Sequence, residues 1–267
     1  MHKYLQLIRN FFHLEEKQTK SMLVLTIVMN LLYCSLHSMI SMFSSAMNQP
    51  IFYYLIQYGL YLMLSIIYYL LFTQFMRNRY QDQKKIQWKS FIFPLIKLET
   101  IIFIVMELLA FLSFYSSIEG LSLRYLWIVF ALLMTIVYIP FRFYGYHQIY
   151  HQQKNPFIII KNSMQVFVKH YMSLFYSFMI FAILYIGCYY VGIYLLELPM
   201  TFHLLSISSQ VLTMLNPFMF LYQFMGGTQT FNILSFVLCV GFGILLSLAM
   251  VYYFSYLINI FDEEVQY

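Results

Sequence analysis

Ionisable side chains are sparse in this chain, and those that fall inside long apolar runs are the candidates for chemistry. Glu107 stands within TIIFIVMELLAFLSFY. A charged group near the centre of such a run costs at least about 2.5 kcal/mol on the mildest insertion scale. Glu107 must therefore be protonated, paired or turned towards water. Two readings follow: a proton or substrate site, or a protonated carboxyl that joins two helices. Asn30 lies about nine residues into an earlier apolar run and Glu107 about ten into its own, which at about 1.5 Å per residue sets them at one level. Asn30 is the expected neutral partner. Arg142 lies nearer the end of its run and reaches Glu107 only by turning away from the headgroups it would otherwise seek.

Around these residues two polar faces stand out. Asn30, Cys34, the adjacent pair His37 and Ser38, Ser41 and Ser45 recur at steps of three or four, and so do Tyr54, Tyr58, Tyr61, Ser65 and Tyr68. Helical spacing lines each set along one face. Such faces suit a cavity for a polar ligand, and equally suit hydrogen-bonded helix packing. His147 and His151, four apart, have the spacing of metal ligands on a helix. No third ligand stands near them in sequence, so the expectation is a solvated or interfacial pair, no metal and no cofactor. His170 and His203 are expected at the surface. No phosphate-cradling glycine loop, zinc-protease helix, nucleophile elbow or paired intramembrane carboxylates are present, which argues against an enzyme.

The elements that must position these side chains are long. The chain has 267 residues, is 62% hydrophobic and only 9% charged, and its mean hydropathy is +0.72, where soluble domains are about a quarter charged. Six apolar runs are each long enough to cross a hydrocarbon layer of about 30 Å. They cover about 21–45, 51–76, 95–115, 125–146, 172–197 and 231–257. The expected fold is all-α, a polytopic transmembrane helical bundle forming one domain over residues 1–267. Residues 198–230 contain no Lys or Arg and several Pro and Gly breakers. They read as an apolar segment on the outer face. Four small residues in the last run, Ser235, Cys239, Gly243 and Ser247, keep a spacing of four that permits close helix approach. The three cysteines, Cys34, Cys188 and Cys239, all fall inside spans with no close pairing, so no disulfide is expected.

Three basic, amphipathic leads precede pairs of spans. The first is residues 1–20; it carries Arg9, Glu15 and Glu16, so it is not read as a cleaved signal. The second holds Arg77, Arg79, Lys84, Lys85, Lys89 and Lys97, with Pro94 expected to break or kink it. The third, FIIIKNSMQVFVKHY, sets Phe157, Ile160, Met164, Phe167, Val168 and Tyr171 on one face, with Lys169 opposite and Lys161 at the boundary. Asn155 is placed to cap this helix and Pro156 to occupy its first position. Such helices suit a membrane surface, with Lys161, Lys169, Lys84 and Lys85 meeting anionic headgroups. Of the 15 basic residues, all but Arg124 fall on one side of a six-span arrangement. The positive-inside rule then places both termini in the cytoplasm of a cell-membrane protein. The basic residues are spread over span ends, which suits lipid and not nucleic acid.

At the third lead, YIPFRFYGYHQ followed by IIIKNSMQVFVKHYMSLFY is similar to the pattern of the YesL-like integral membrane proteins of Gram-positive bacteria. Ile160, Lys161, Asn162, Ser163, Lys169 and His170 match that family's lead, and the ending SYLINIFDEE resembles its C-terminus. The long segment 198–230 departs from it, since the family has a short connection there. Genes of that family tend to lie beside carbohydrate ABC-importer genes. The resemblance implies a non-enzymatic auxiliary or assembly partner of a transport system, with ABC-transporter subunits as partners. The competing expectation is a transporter or channel in its own right, with a polar path near Glu107 lined by Asn30, His37 and the Tyr face.

Overall fold

The structure is a computed structural model, and it describes residues 16–45, 50–80, 88–118, 138–196, 218 and 233–265. Every described element is helical, with no strand among the described residues. In chain order they are α1 (Glu16–Ser45), α2 (Pro50–Tyr80), α3 (Trp88–Ile118), α4 (138–150), α5 (Pro156–Leu196) and α6 (Ile233–Val265). Two stretches, Tyr58–Tyr80 in α2 and Phe236–Glu264 in α6, are long and apolar enough to cross a membrane.

Apart from α4, whose run extends outside the described residues, these helices are longer than the apolar runs they contain. α1 begins at Glu16, so the end of the first lead joins the first span in one helix. α3 starts at Trp88 and runs through Pro94 without a break. This departs from the expected interruption. Pro94 lies inside α3, beyond its first turn, and is buried; packing of the helix against its neighbours outweighs the backbone bond to Ser90 that proline cannot make. Likewise the third lead and the fifth span form the single helix α5, whose non-helical residue is His170 (φ −110°, ψ 18°). The kink falls at the expected junction between lead and span.

A Schellman-type ending closes α4: the Gln153 N–H donates to Gln148 O and the Gln152 N–H to Ile149 O, both at 3.0 Å. Gln152 takes the left-handed position with φ 70°, one that glycine usually fills. α5 then begins at Pro156, and Asn155 Oδ1 accepts the Phe157 N–H at 3.0 Å. That is the cap and first position expected from the sequence.

α4 is the hub of the bundle. Its Phe143 packs on Phe72 of α2 and on Phe254 of α6, with ring centroids 5.1 and 4.6 Å apart. Tyr144 meets Phe261 at 5.0 Å, and Tyr146 meets Tyr69 at 5.5 Å. Each such aromatic pair adds about 0.5–1.5 kcal/mol beyond area burial. At Gly145 the helix comes close to its neighbours, since a Cβ there would lie 2.8 Å from Leu98 of α3 and 3.3 Å from Ile159 of α5. Gln148 ties α4 to α5 by donating to Ile159 O at 3.2 Å and accepting from Asn162 at 3.0 Å. Elsewhere α6 packs along α5, α1 and α2.

The small residues of α6 receive an aromatic ring. Phe218 is buried, and its ring carbons lie 2.2 Å from where a Cβ on Gly243 would stand. Its carbonyl oxygen accepts from the Cys34 thiol at 3.5 Å. At this one described position, the apolar segment between α5 and α6 dips between α1 and α6.

Candidate functional site: a buried charge cage and a polar helix end

The interior of the bundle holds an ion pair that neither apolar run announces. Arg142 Nε stands 2.8 Å from Glu99 Oε1, with side chains 1% and 0% exposed. Three tyrosines and a serine close around it. Tyr61 donates to Glu99 Oε2 and Tyr146 donates to Glu99 Oε1, each at 2.5 Å. Arg142 Nε also donates to Tyr146 Oη at 2.6 Å, Nη1 to Tyr138 Oη at 3.3 Å, and Nη2 to Ser65 Oγ at 2.6 Å. Ser65 Oγ donates to Tyr61 O at 2.7 Å, and the Tyr61 and Tyr138 hydroxyls are 3.1 Å apart. The guanidinium also lies 5.3 to 5.7 Å from the ring centroids of Tyr61, Tyr138 and Tyr146.

Proton bookkeeping here is consistent with an ionised pair. Tyr61 donates to the carboxylate and is free to accept from Tyr138, while Tyr146 and Ser65 each donate once and accept once. An ion pair in a low-dielectric interior offsets its desolvation only when its remaining valences are satisfied in this way. Helix spacing supplies the arrangement. Tyr138, Arg142 and Tyr146 stand one turn apart on α4, Tyr61 and Ser65 one turn apart on α2, and Glu99 comes from α3. Ser65 is the middle residue of α2, about 22 Å from Tyr80 at 1.5 Å per residue.

A second polar group forms where α2, α4 and α6 end together. Asp262 takes Arg79 Nε at 2.8 Å on Oδ2, and on Oδ1 takes the Tyr80 hydroxyl and His147 Nε2, the latter at 3.4 Å. Tyr80 Oη is 3.2 Å from His147 Nε2. His147 Nδ1 is buried with no hydrogen-bond partner among the described residues. The His151 ring follows at 4.7 Å. Among the described residues no group of three His, Cys, Asp or Glu could hold a metal ion. Two residues further along α6, Glu264 Oε1 accepts from Lys169 Nζ at 2.7 Å and stands 2.6 Å from His170 Nε2.

Several sequence expectations change in this light. Arg142, counted among the cytoplasmic charges and expected near the headgroups, is instead buried inside the bundle against Glu99. Apolar burial of its stem and four hydrogen-bonding neighbours outweigh solvation at the surface. His147 is buried against Asp262 and is not a solvated residue; His151 is exposed. His170, expected at the surface, is mostly covered by Glu264. Asn30 is buried; its amide donates to Thr26 O at 2.7 Å and contacts Met250 Sδ at 3.8 Å, and its Oδ1 accepts from Tyr68 at 3.5 Å. Glu107 is half-buried on α3. Lys161 and Lys169 are exposed. Lys84 and Lys85 lie outside the described residues, as do Arg124, His203, residues 1–15 and all of 198–230 but Phe218; of the side chains of His37 and Cys188 nothing is described.

Glu99 is the residue that sequence reasoning missed. It follows Lys97 near the edge of an apolar run, where a carboxylate passes for an interfacial charge. The signal available was the Tyr face of α2, whose Tyr58, Tyr61, Ser65 and Tyr68 turn out to bond Thr100, Glu99, Arg142 and Asn30.

No family profile, no curated protein and no solved structure matches this chain. What the described residues define is an all-helical bundle, two of whose helices are able to cross a membrane, with a closed, charged cage within its core.

Proposed function

We propose that the chain is a six-span membrane protein with both termini in the cytoplasm, working as a non-enzymatic auxiliary or assembly partner of a transport system. The observation that carries this is the outward face of α5. Phe157, Lys161, Met164 and Val168 follow at steps of three and four and are exposed, Phe157 by 72% and Val168 by 70%. The stripe continues through Met172, Met179 and Ile183. Ile159, Ser163 and Val166 on the other side are buried in the bundle. An apolar face this long, with a lysine set in it, suits lipid with anionic headgroups and the flank of another membrane protein. In the interior, by contrast, the Arg142 and Glu99 cage binds its polar groups to one another, which leaves the outside as the working surface. Carbohydrate ABC import enters through the YesL-like resemblance of the same segment.

A second reading, a transporter with a path near Glu107, draws on the depth of the Glu99 and Arg142 pair beside the middle of α2. Purification from native membranes in mild detergent, with mass spectrometry of what travels with the chain, tests the first. Recovery of an ABC permease in fixed proportion supports it; a chain that runs alone removes it. Glu107→Gln separates the two readings. An auxiliary protein retains its function, because the amide still hydrogen-bonds, whereas a proton-coupled transporter loses flux in liposomes while remaining folded.

A further inference from the structure

The contact stripe of α5 belongs to two rigid pieces joined at His170, and the last turn of α6 grips that joint. Glu264 Oε1 receives both Lys169 Nζ and His170 Nε2, at 2.7 and 2.6 Å. Lys169 and His170 are the residue before the kink and the kink residue itself. Asp262, two positions earlier on α6, is bound by Arg79, Tyr80 and His147. Residues two apart on a helix point about 200° away from each other. One short acidic turn therefore holds α2 and α4 on one side and the bend of α5 on the other.

We propose that Asp262 and Glu264 form a two-sided clamp that sets the angle between the lead part of α5 (residues 156–169) and its span (residues 171–196). Asp262 fixes the end of α6 to the bundle, and Glu264 carries that fixed point to the hinge. Without Glu264, the lead retains its packing through Ile159 and Val166 and its tie to Gln148, but the hinge loses its charged contacts. The angle at His170 is then held by apolar packing alone and spreads over a wider range. This inference rests on the reading of the α5 stripe as a contact surface, because the clamp decides how that stripe is presented. Its geometry stands apart from any partner.

The test uses the full chain in nanodiscs of neutral lipid, with spin labels at Phe157→Cys and Ile183→Cys in a background whose native cysteines are replaced. A straight helix would put these positions about 39 Å apart. The wild-type clamp gives one narrow peak, shortened by the kink, in pulsed electron paramagnetic resonance. Glu264→Gln replaces it with a broad or divided distribution, and Lys169→Met broadens it less. Glu264→Asp, which keeps the charge but shortens the reach, falls between. An unchanged narrow peak in Glu264→Gln overturns the clamp, as does equal broadening when Glu263→Gln, in the adjacent position, is made instead. The pull-down above is independent of this readout, so loss of the partner reading and loss of the clamp are separately visible.

Discussion

Removing the charge of Glu99 while Arg142 stays strands a guanidinium among tyrosine rings. Breaking a buried pair from one side costs about 3–5 kcal/mol, whereas replacing both members by apolar residues of similar volume is often neutral. Glu99→Gln is therefore expected to lower the thermal unfolding midpoint in detergent strongly, and Glu99→Leu with Arg142→Met to recover most of that loss. A double variant no better than the single one would show that the cage is not held by charge compensation. At the turn after α4 the argument has the opposite sign. Gln152 occupies a left-handed conformation that costs a residue with a Cβ about 1–2 kcal/mol. Gln152→Gly is expected to raise the unfolding midpoint, with a gain of about 1 kcal/mol once glycine's larger entropy loss is set against the relief. A fall in the midpoint would mean that the Gln side chain contributes more than its backbone costs.

Between helices, close approach decides which glycines are needed. Gly243 of α6 has the Phe218 ring where a Cβ would go, while Gly241, two residues away, has nothing within 4 Å. Gly243→Ala is expected to cost about 1–3 kcal/mol by overpacking, and Phe218→Ala in the same chain to relieve part of it. Gly241→Ala is expected to gain up to about 1 kcal/mol from helix propensity. Equal effects at both sites, followed by chemical denaturation, would remove Phe218 from the seam. These elements also show what the sequence reveals and what it hides. The start of α5 at Asn155 and Pro156, and the junction of lead and span next to the kink at His170, were legible because caps and changes of composition are local. The spacing of four through Gly243 was legible as a close-approach face. That an aromatic ring from a segment tens of residues away would fill it was not, because spacing records room and not the occupant. Glu99 escaped for the same reason: its partner lies 43 positions further on, and only the folded bundle sets Arg142 beside it. The pairing expected between Asn30 and Glu107 was drawn from depth alone. The structure gives Asn30 bonds to Thr26, Tyr68 and Met250.

Over the whole molecule, charge distribution still has to decide which end faces the cytoplasm. With Arg142 paired to Glu99 inside the bundle, orientation depends on the basic residues outside the apolar runs, among them Arg79, Lys154, Lys161 and Lys169, of which Arg79 and Lys169 meet the acidic turn of α6. Charges close to span ends set orientation, and acidic residues contribute little to the rule, so pairing with Asp262 and Glu264 does not cancel the signal. Lys154 is the cleanest probe, since it is exposed in the turn between α4 and α5 and its backbone N–H is bound only within that turn, to Gln153 Oε1. Lys154→Cys in a cysteine-free background is expected to resist a membrane-impermeant maleimide in intact cells and to label once the membrane is opened. Labelling in intact cells would reverse the orientation, place the Asp262 group and the clamp on the outside, and leave the lysines of α5 without the anionic inner leaflet they are proposed to meet.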